Sequence, residues 1–152
     1  MIGRILVLAV LLCAGAGSTF GAPTLDESWQ QCADDNPDIS IGGCTATIQS
    51  GQLDNEDLAV EFYNRGIAYR DKGDYDRAIA DYTQAIRLKP DYAKAFNNRG
   101  LAYYNKGDYD RAIADYTQAI RLKPDDADAF FNRGSAYDAK GDHDRAIADF
   151  TQ

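Results

Sequence analysis

The sequence predicts an all-α fold, a row of helix hairpins stacked one on the next. Three observations predict it. The stretch KGDYDRAIADYTQAIRLKPD, Lys72–Asp91, returns unchanged at Lys106–Asp125, thirty-four residues on, and a third copy starts at Lys140. Within a copy the apolar residues recur at three- and four-residue steps, the period of one helix face. Every copy is also punctuated by Lys-Gly-Asp, and the two full ones again by Lys-Pro-Asp, residues that stop one helix and start another.

The chain opens with MIGRILVLAVLLCAGAGSTFGA, which has one positive charge (Arg4), an apolar run from Ile5 to about Ala14, and then small residues. That is the layout of a secretory signal peptide, assigned to residues 1–21, with cleavage after Ala16 or Gly21. The alternative is an uncleaved membrane anchor, disfavoured by the short apolar core and its glycine- and serine-rich end. Lipidation at Cys13 is disfavoured because the preceding Leu12 is large. The expected location is therefore the periplasm or the medium. Losing Arg4 takes the formal net charge from −8 to −9. Such acidity offers no basic face to displace counterions, which argues against nucleic acid and anionic lipid as partners.

Beyond the leader two cysteines remain, Cys32 and Cys44. In an exported chain two nearby thiols are most simply a disulfide. Reduced core thiols are the alternative if the leader is not one. A metal site is disfavoured, because the single histidine, His143, lies far along the chain in another repeat. Residues 24–58 read as a degenerate hairpin. Trp29 and Cys32 share a first helix, and Ile41, Cys44 and Ile48 share a second after a turn at Asp35–Asp38. Its departure from the repeat suits a cap, since the outermost unit turns one face to water.

Three repeat units follow, at 59–92, 93–126 and 127–152, the last one incomplete. In the first, Phe62, Gly66 and Tyr69 stripe one helix. Ala78, Ile79, Tyr82, Ala85 and Ile86 stripe the next, with Arg77, Asp81, Gln84 and Arg87 on its other side. Gly73 ends the first helix in the left-handed conformation, Asp74 caps the second, and Asp91 after Pro90 caps the helix beyond. One hairpin cannot cover both stripes alone, whereas a stack of them shields each with its neighbour. Gly66, Gly100 and Gly134, with Ala78, Ala112 and Ala146, mark where backbones approach closely. Tyr82, Tyr116 and Phe150 supply the bulk between them. At the far end the sequence stops inside a helix, with nothing to cap the array.

These positions resemble the tetratricopeptide repeat, or TPR. Its aromatic, Leu-Gly, Tyr, Ala, aromatic, Pro pattern reads here as Phe62, Arg65-Gly66, Tyr69, Ala78, Tyr82, Pro90. The same residues recur at Phe96, Arg99-Gly100, Tyr103, Ala112, Tyr116 and Pro124. Arg65, Arg99 and Arg133 replace the usual leucine, each able to pack its stem and reach an aspartate with its head. The wording is similar to that of exported proteobacterial members. The resemblance implies a right-handed superhelix whose first helices line a concave groove for a segment of another protein. Carried over by position, the groove presents Tyr63, Asn64, Ile67 and Arg70, then Asn97, Asn98, Leu101, Tyr104 and Asn105, then Phe131, Asn132, Ser135 and Asp138.

Asn64, Asn98 and Asn132 form a ladder of amides suited to gripping a peptide backbone. The competing reading is that they satisfy neighbouring backbone groups. Members that clamp a terminal carboxylate converge lysines and an arginine on the groove. The matching positions here hold Tyr63, Ile67, Asn98, Asp128 and Asn132, so only the asparagine at 98 is kept.

Catalytic machinery is not expected. His143 takes the place of Tyr75 and Tyr109 at a helix start, and no second histidine exists. Asp74, Asp76 and Asp81 recur in every copy as scaffold, there is no glycine-rich phosphate loop, and Asp34–Asp38 lacks calcium-loop spacing. No cofactor is expected. The function read from the sequence is a non-catalytic module that binds a protein or peptide. The alternatives are a self-assembling unit joined through its uncapped end, and the regulatory front of a longer enzyme.

Overall fold

The computed structural model describes residues 23–152, so the predicted leader lies outside the described residues. Eight helices follow one another as four antiparallel hairpins: α1 (Leu25–Cys32) with α2 (Pro37–Ser50), α3 (Asn55–Asp71) with α4 (Tyr75–Leu88), α5 (Ala93–Asn105) with α6 (Tyr109–Leu122), and α7 (Ala127–Ala139) with α8 (His143–Phe150). The described residues contain no strand. No helix among them is long and apolar enough to cross a membrane.

Helix ends form where single residues allow them. Gly73, Gly107 and Gly141 take φ of 77°, 78° and 83°, the left-handed region that side chains avoid. The aspartate after each glycine then accepts from a backbone N–H three residues on, as Asp74 does from Arg77. The helix after each proline starts one residue later than expected. Asp91 caps nothing, because the cap position falls on Tyr92, which makes no side-chain cap bond. In the next unit the same position holds Asp126, which does cap, accepting from the Ala129 N–H.

Each of the last three hairpins closes on a glycine–aromatic contact. A Cβ on Gly66 would lie 2.7 Å from Tyr82 Cε1, and one on Gly100 equally close to Tyr116 Cε1. Tyr82 and Tyr116 are fully buried, among Ala78 and Ala102, and Ala112 and Ala136, respectively. Alanines of the next first helix complete each layer, so the core runs continuously from unit to unit.

The arginine at the leucine position ties three helices together. Arg99 Nε and Nη2 donate to the two carboxylate oxygens of Asp115 on α6 at 2.7 and 2.8 Å. Its Nη1 reaches back to Thr83 Oγ1 on α4 at 3.0 Å. Arg133 makes the same set with Asp149 and Thr117. Each guanidinium also rests near its own phenylalanine, Arg99 lying 5.6 Å from the Phe96 centroid. Helical periodicity puts Asp81, Asp115 and Asp149 on the polar side, yet all three are buried. The paired guanidinium makes that possible, since a lone carboxylate there would carry an uncompensated desolvation cost.

The first hairpin is a true unit displaced by one helical turn. Arg65 joins Asp81 sixteen residues ahead, as in the other units, but its Nη1 reaches Thr45, twenty residues back instead of sixteen. The ladder of lysine–aspartate ion pairs shows the same offset. Lys106 with Asp76 and Lys140 with Asp110 span thirty residues, whereas Lys72 with Asp38 spans thirty-four. The extra turn sits at the start of α3, which has 17 residues against 13 in α5 and α7. So α3 begins at Asn55, inside the stretch that the sequence assigned to the cap.

The buried face of α2 is Ser40, Gly43, Cys44 and Thr47; of the expected Ile41–Cys44–Ile48 stripe Cys44 is buried and the two isoleucines are half-buried. Small residues let α1 lie close: a Cβ on Gly43 would fall 2.4 Å from the Cys32 backbone nitrogen. Cys44 occupies the place of the core tyrosine and is paired with Cys32, their Cα atoms 4.5 Å apart and twelve residues apart in sequence. Such a cross-link contributes about 3 kcal/mol by restricting the unfolded chain, much for an eight-residue helix such as α1.

First helices contact one another along the stack, α1 with α3, α3 with α5 and α5 with α7, while second helices do not. A row packed closer on one side curves toward that side. The first helices are therefore its inner wall.

Candidate functional site

The inner wall is built from the residues of α3, α5 and α7 that the hairpin contacts leave over. Tyr63, Asn97 and Asn98 come together in one cleft with Lys94, Lys123, Asp126 and Asp128. Asn64 and Ile67 line a second cleft against the cap, with Cys32–Asp35, Pro37, Ser40, Ala68 and Asp71. The third-unit residues Phe131, Asn132, Ser135 and Asp138 line neither.

The asparagine ladder is engaged, and its partners are side chains of the preceding unit. Asn98 Nδ2 donates to Tyr63 Oη at 3.0 Å, and Asn132 Nδ2 donates to Asn97 Oδ1 at 3.1 Å. Neither expected use, gripping a peptide or satisfying backbone, describes these bonds. Each uses one of the amide's donors, so the Asn98 carbonyl and second N–H stay available for a bound chain. They also couple the variable position of one unit (63, 97) to the constant position of the next. Asn64 has no such bond among the described residues.

The other predicted positions divide by burial. Tyr63 and Ile67 pack against the Ala78–Tyr82–Ala102 core, and Tyr104 packs against that of Ala112, Tyr116 and Ala136. These three are half wall, half core. Arg70 is drawn aside to Asp71 at 2.7 Å. Ser135 turns back to the Phe131 carbonyl at 2.9 Å, and Asp138 meets His143 Nδ1 at 2.8 Å. Leu101 is half-buried, Asn105 is exposed, and Phe131 is the most exposed large apolar side chain among the described residues, at 62%.

Lys94 and Lys123 were not anticipated. Lys123 precedes Pro124 in the turn before α7, and only the stacking brings it beside Asn98. Its Nζ lies 3.9 Å from Asp126. The sequence carries no local sign of this, because Lys94 lies on α5 and Lys123 in the turn after α6.

A buried group also escaped the sequence reading. Glu61 on α3 is only 6% exposed and accepts from Thr47 Oγ1 at 2.9 Å. Burial pushes its carboxyl above the ordinary range, the Thr47 bond opposing this and Asp57 adding to it. Its signal was legible, since Glu61 stands where the next two units hold Ala95 and Ala129.

Three in-register helix hairpins, a fourth offset by one turn, and a lined inner wall define a helical-repeat scaffold. The chain belongs to the tetratricopeptide-repeat family: a family model described as TPR repeat matches residues 66–107 and 100–141. Repeats of this family build protein-interaction modules, and this chain is one of that class. The crystal structure of MamA superposes with a TM-score of 0.74 at 29% identity, over 84% of this chain and 72% of that one. The second TPR of Spaghetti (RPAP3), solved bound to the HSP90 peptide SRMEEVD, gives 0.61 at 33% identity, over 70% and 94%. The Arabidopsis OM64 TPR domain gives 0.64 at 26% identity, over 64% and 81%. No curated protein matches the sequence.

Proposed function

We propose that this chain is a non-catalytic, exported interaction module that holds an extended protein segment along the wall formed by α3, α5 and α7. The observation that carries this is the Asn98–Tyr63 pair, which holds an amide with spare donor and acceptor capacity beside the cleft of Asn97, Lys94 and Lys123. A peptide backbone needs that pairing of functions, and its repetition at Asn132 continues the row. A solved relative with 33% identity holds a peptide, which supports a peptide as the class of ligand. Specificity then comes from the positions that differ between units: Tyr63, Asn97 and Phe131, and Arg70, Tyr104 and Asp138. Recognition of a terminal carboxylate is not part of this reading, because the clamp positions hold Tyr63, Ile67, Asp128 and Asn132 beside Asn98.

The export half rests on the leader and on the cysteine pair, which we read as oxidised outside the cytoplasm. The test is a selection of displayed peptides on the folded chain, repeated with Asn98→Ala combined with Asn97→Ala. Groove ligands lose binding to the double variant by about 2–3 kcal/mol, about 1–1.5 for each of the two lost hydrogen bonds. Selected peptides that bind both proteins equally place the interaction surface elsewhere.

A further inference from the structure

Glu61 is a carboxylate where the architecture asks for a methyl. The equivalent residues Ala95 and Ala129 are fully buried against the preceding unit. In the first unit the same position faces the cap, and its carboxylate oxygen, Cys32 Sγ and Cys44 Sγ all lie within 4.8 Å of one another. No lysine or arginine reaches Glu61 among the described residues, and its one donor is the Thr47 hydroxyl. That hydroxyl already lies against the Gly43 and Cys44 carbonyls, at 3.2 and 2.9 Å. A buried carboxylate without a cation is disfavoured, and alanine would have cost the core nothing. The exception falls only beside the two cysteines.

We propose that the cap, once its disulfide is reduced, binds one thiophilic divalent cation of the zinc class between Cys32, Cys44 and Glu61. A phosphine in water, or a dithiol, supplies two electrons and two protons to the S–S bond, giving two thiols and the phosphine oxide or the oxidised dithiol. The cation then displaces both thiol protons to solvent, and Glu61 joins as a carboxylate. Two thiolates and one carboxylate are a donor set that zinc accepts, with a fourth position left for water or Ser40 Oγ, 3.9 Å from Cys44 Sγ. Access follows from reduction. α1 has eight residues, too few to hold as a helix alone, and without the cross-link it is kept by its packing and the Ser40–Cys32 carbonyl bond of 2.7 Å. Oxidation and metal loading exclude each other, so the cap reports which state it is in.

The experiment uses the full described chain, reduced with a phosphine under anaerobic conditions and titrated with Co²⁺, then with Zn²⁺ in competition. The expected result is thiolate-to-cobalt charge-transfer absorption saturating at one ion per chain, displaced by zinc, and absent from the oxidised protein. Cys44→Ser abolishes the band. Glu61→Ala, which writes the residue of the other two units and so keeps the fold, weakens binding by about a thousandfold, beyond the ten- to hundredfold typical of an outer-shell loss. Equal affinity in the Glu61→Ala chain overturns the assignment. So does a reduced wild-type chain that takes up no cobalt, whether it stays helical or unfolds without being restored by the ion.

Discussion

A single methyl at Gly100 tests the packing on which everything else depends. Gly100 lies on the middle first helix, with intact units on both sides, and faces the ring of Tyr116. An added Cβ would sit 2.7, 2.9 and 3.1 Å from Cε1, Cδ1 and Cζ of that ring, about 0.7 Å inside ordinary contact. Tyr116 is fully buried between Ala112 and Ala136, so the ring has nowhere to turn and the helices themselves must part. Such overpacking costs about 1–3 kcal/mol. Against it, alanine is favoured over glycine inside a helix by about 1 kcal/mol. The net expectation for Gly100→Ala is a loss of about 0–2 kcal/mol.

The two terms separate in a double-mutant cycle. With Tyr116→Leu already in place the clash is gone, and Gly100→Ala then stabilises by about 1 kcal/mol. The coupling between the two positions is thus about 1–3 kcal/mol. Urea unfolding followed by far-ultraviolet circular dichroism measures all four proteins, fitted with nearest-neighbour coupling because a repeat array need not unfold in one step. Gly100→Ala stabilising to the same extent in both backgrounds would show that the helices do not meet at this ring, and the stacking account would fail.

Two further outcomes follow from buried polar groups. Tyr82 Oη is buried without a hydrogen-bond partner among the described residues, and the third unit already writes Phe150 at this position, so Tyr82→Phe should stabilise by about 1 kcal/mol in the same assay. Asp115→Ala strands the Arg99 guanidinium against Thr83 and should cost about 3–5 kcal/mol, while Arg99→Leu with Asp115→Ala should recover most of that loss. Equal losses in the single and double variants would mean that the pair serves packing alone.

Much of this fold is legible in the sequence because its determinants are local or repeated. Gly73, Asp74 and Pro90 act through their own backbone, and the three- and four-residue stripes act within one helix. The failures share a cause. Asp81 reads as surface because periodicity ranks residues by polarity, and only a guanidinium from the neighbouring helix makes its burial tolerable. Asn98 reads as a partner for backbone, a peptide's or its own, because its acceptor, Tyr63, is thirty-five residues away. Asp91 reads as a cap because its chemistry is right, though the helix starts one residue too late to use it.

What the sequence determined by itself is the unit: where helices begin and end, which faces are apolar, and that copies must stack. Tertiary structure alone decided the offset between units. One extra turn at the head of α3 shifts the cap, sets Thr45 under Arg65 and brings Glu61 against Cys32 and Cys44. The physical reason is that a helix rises by a fixed amount per residue, so four added residues leave its faces in phase while moving every partner along the stack.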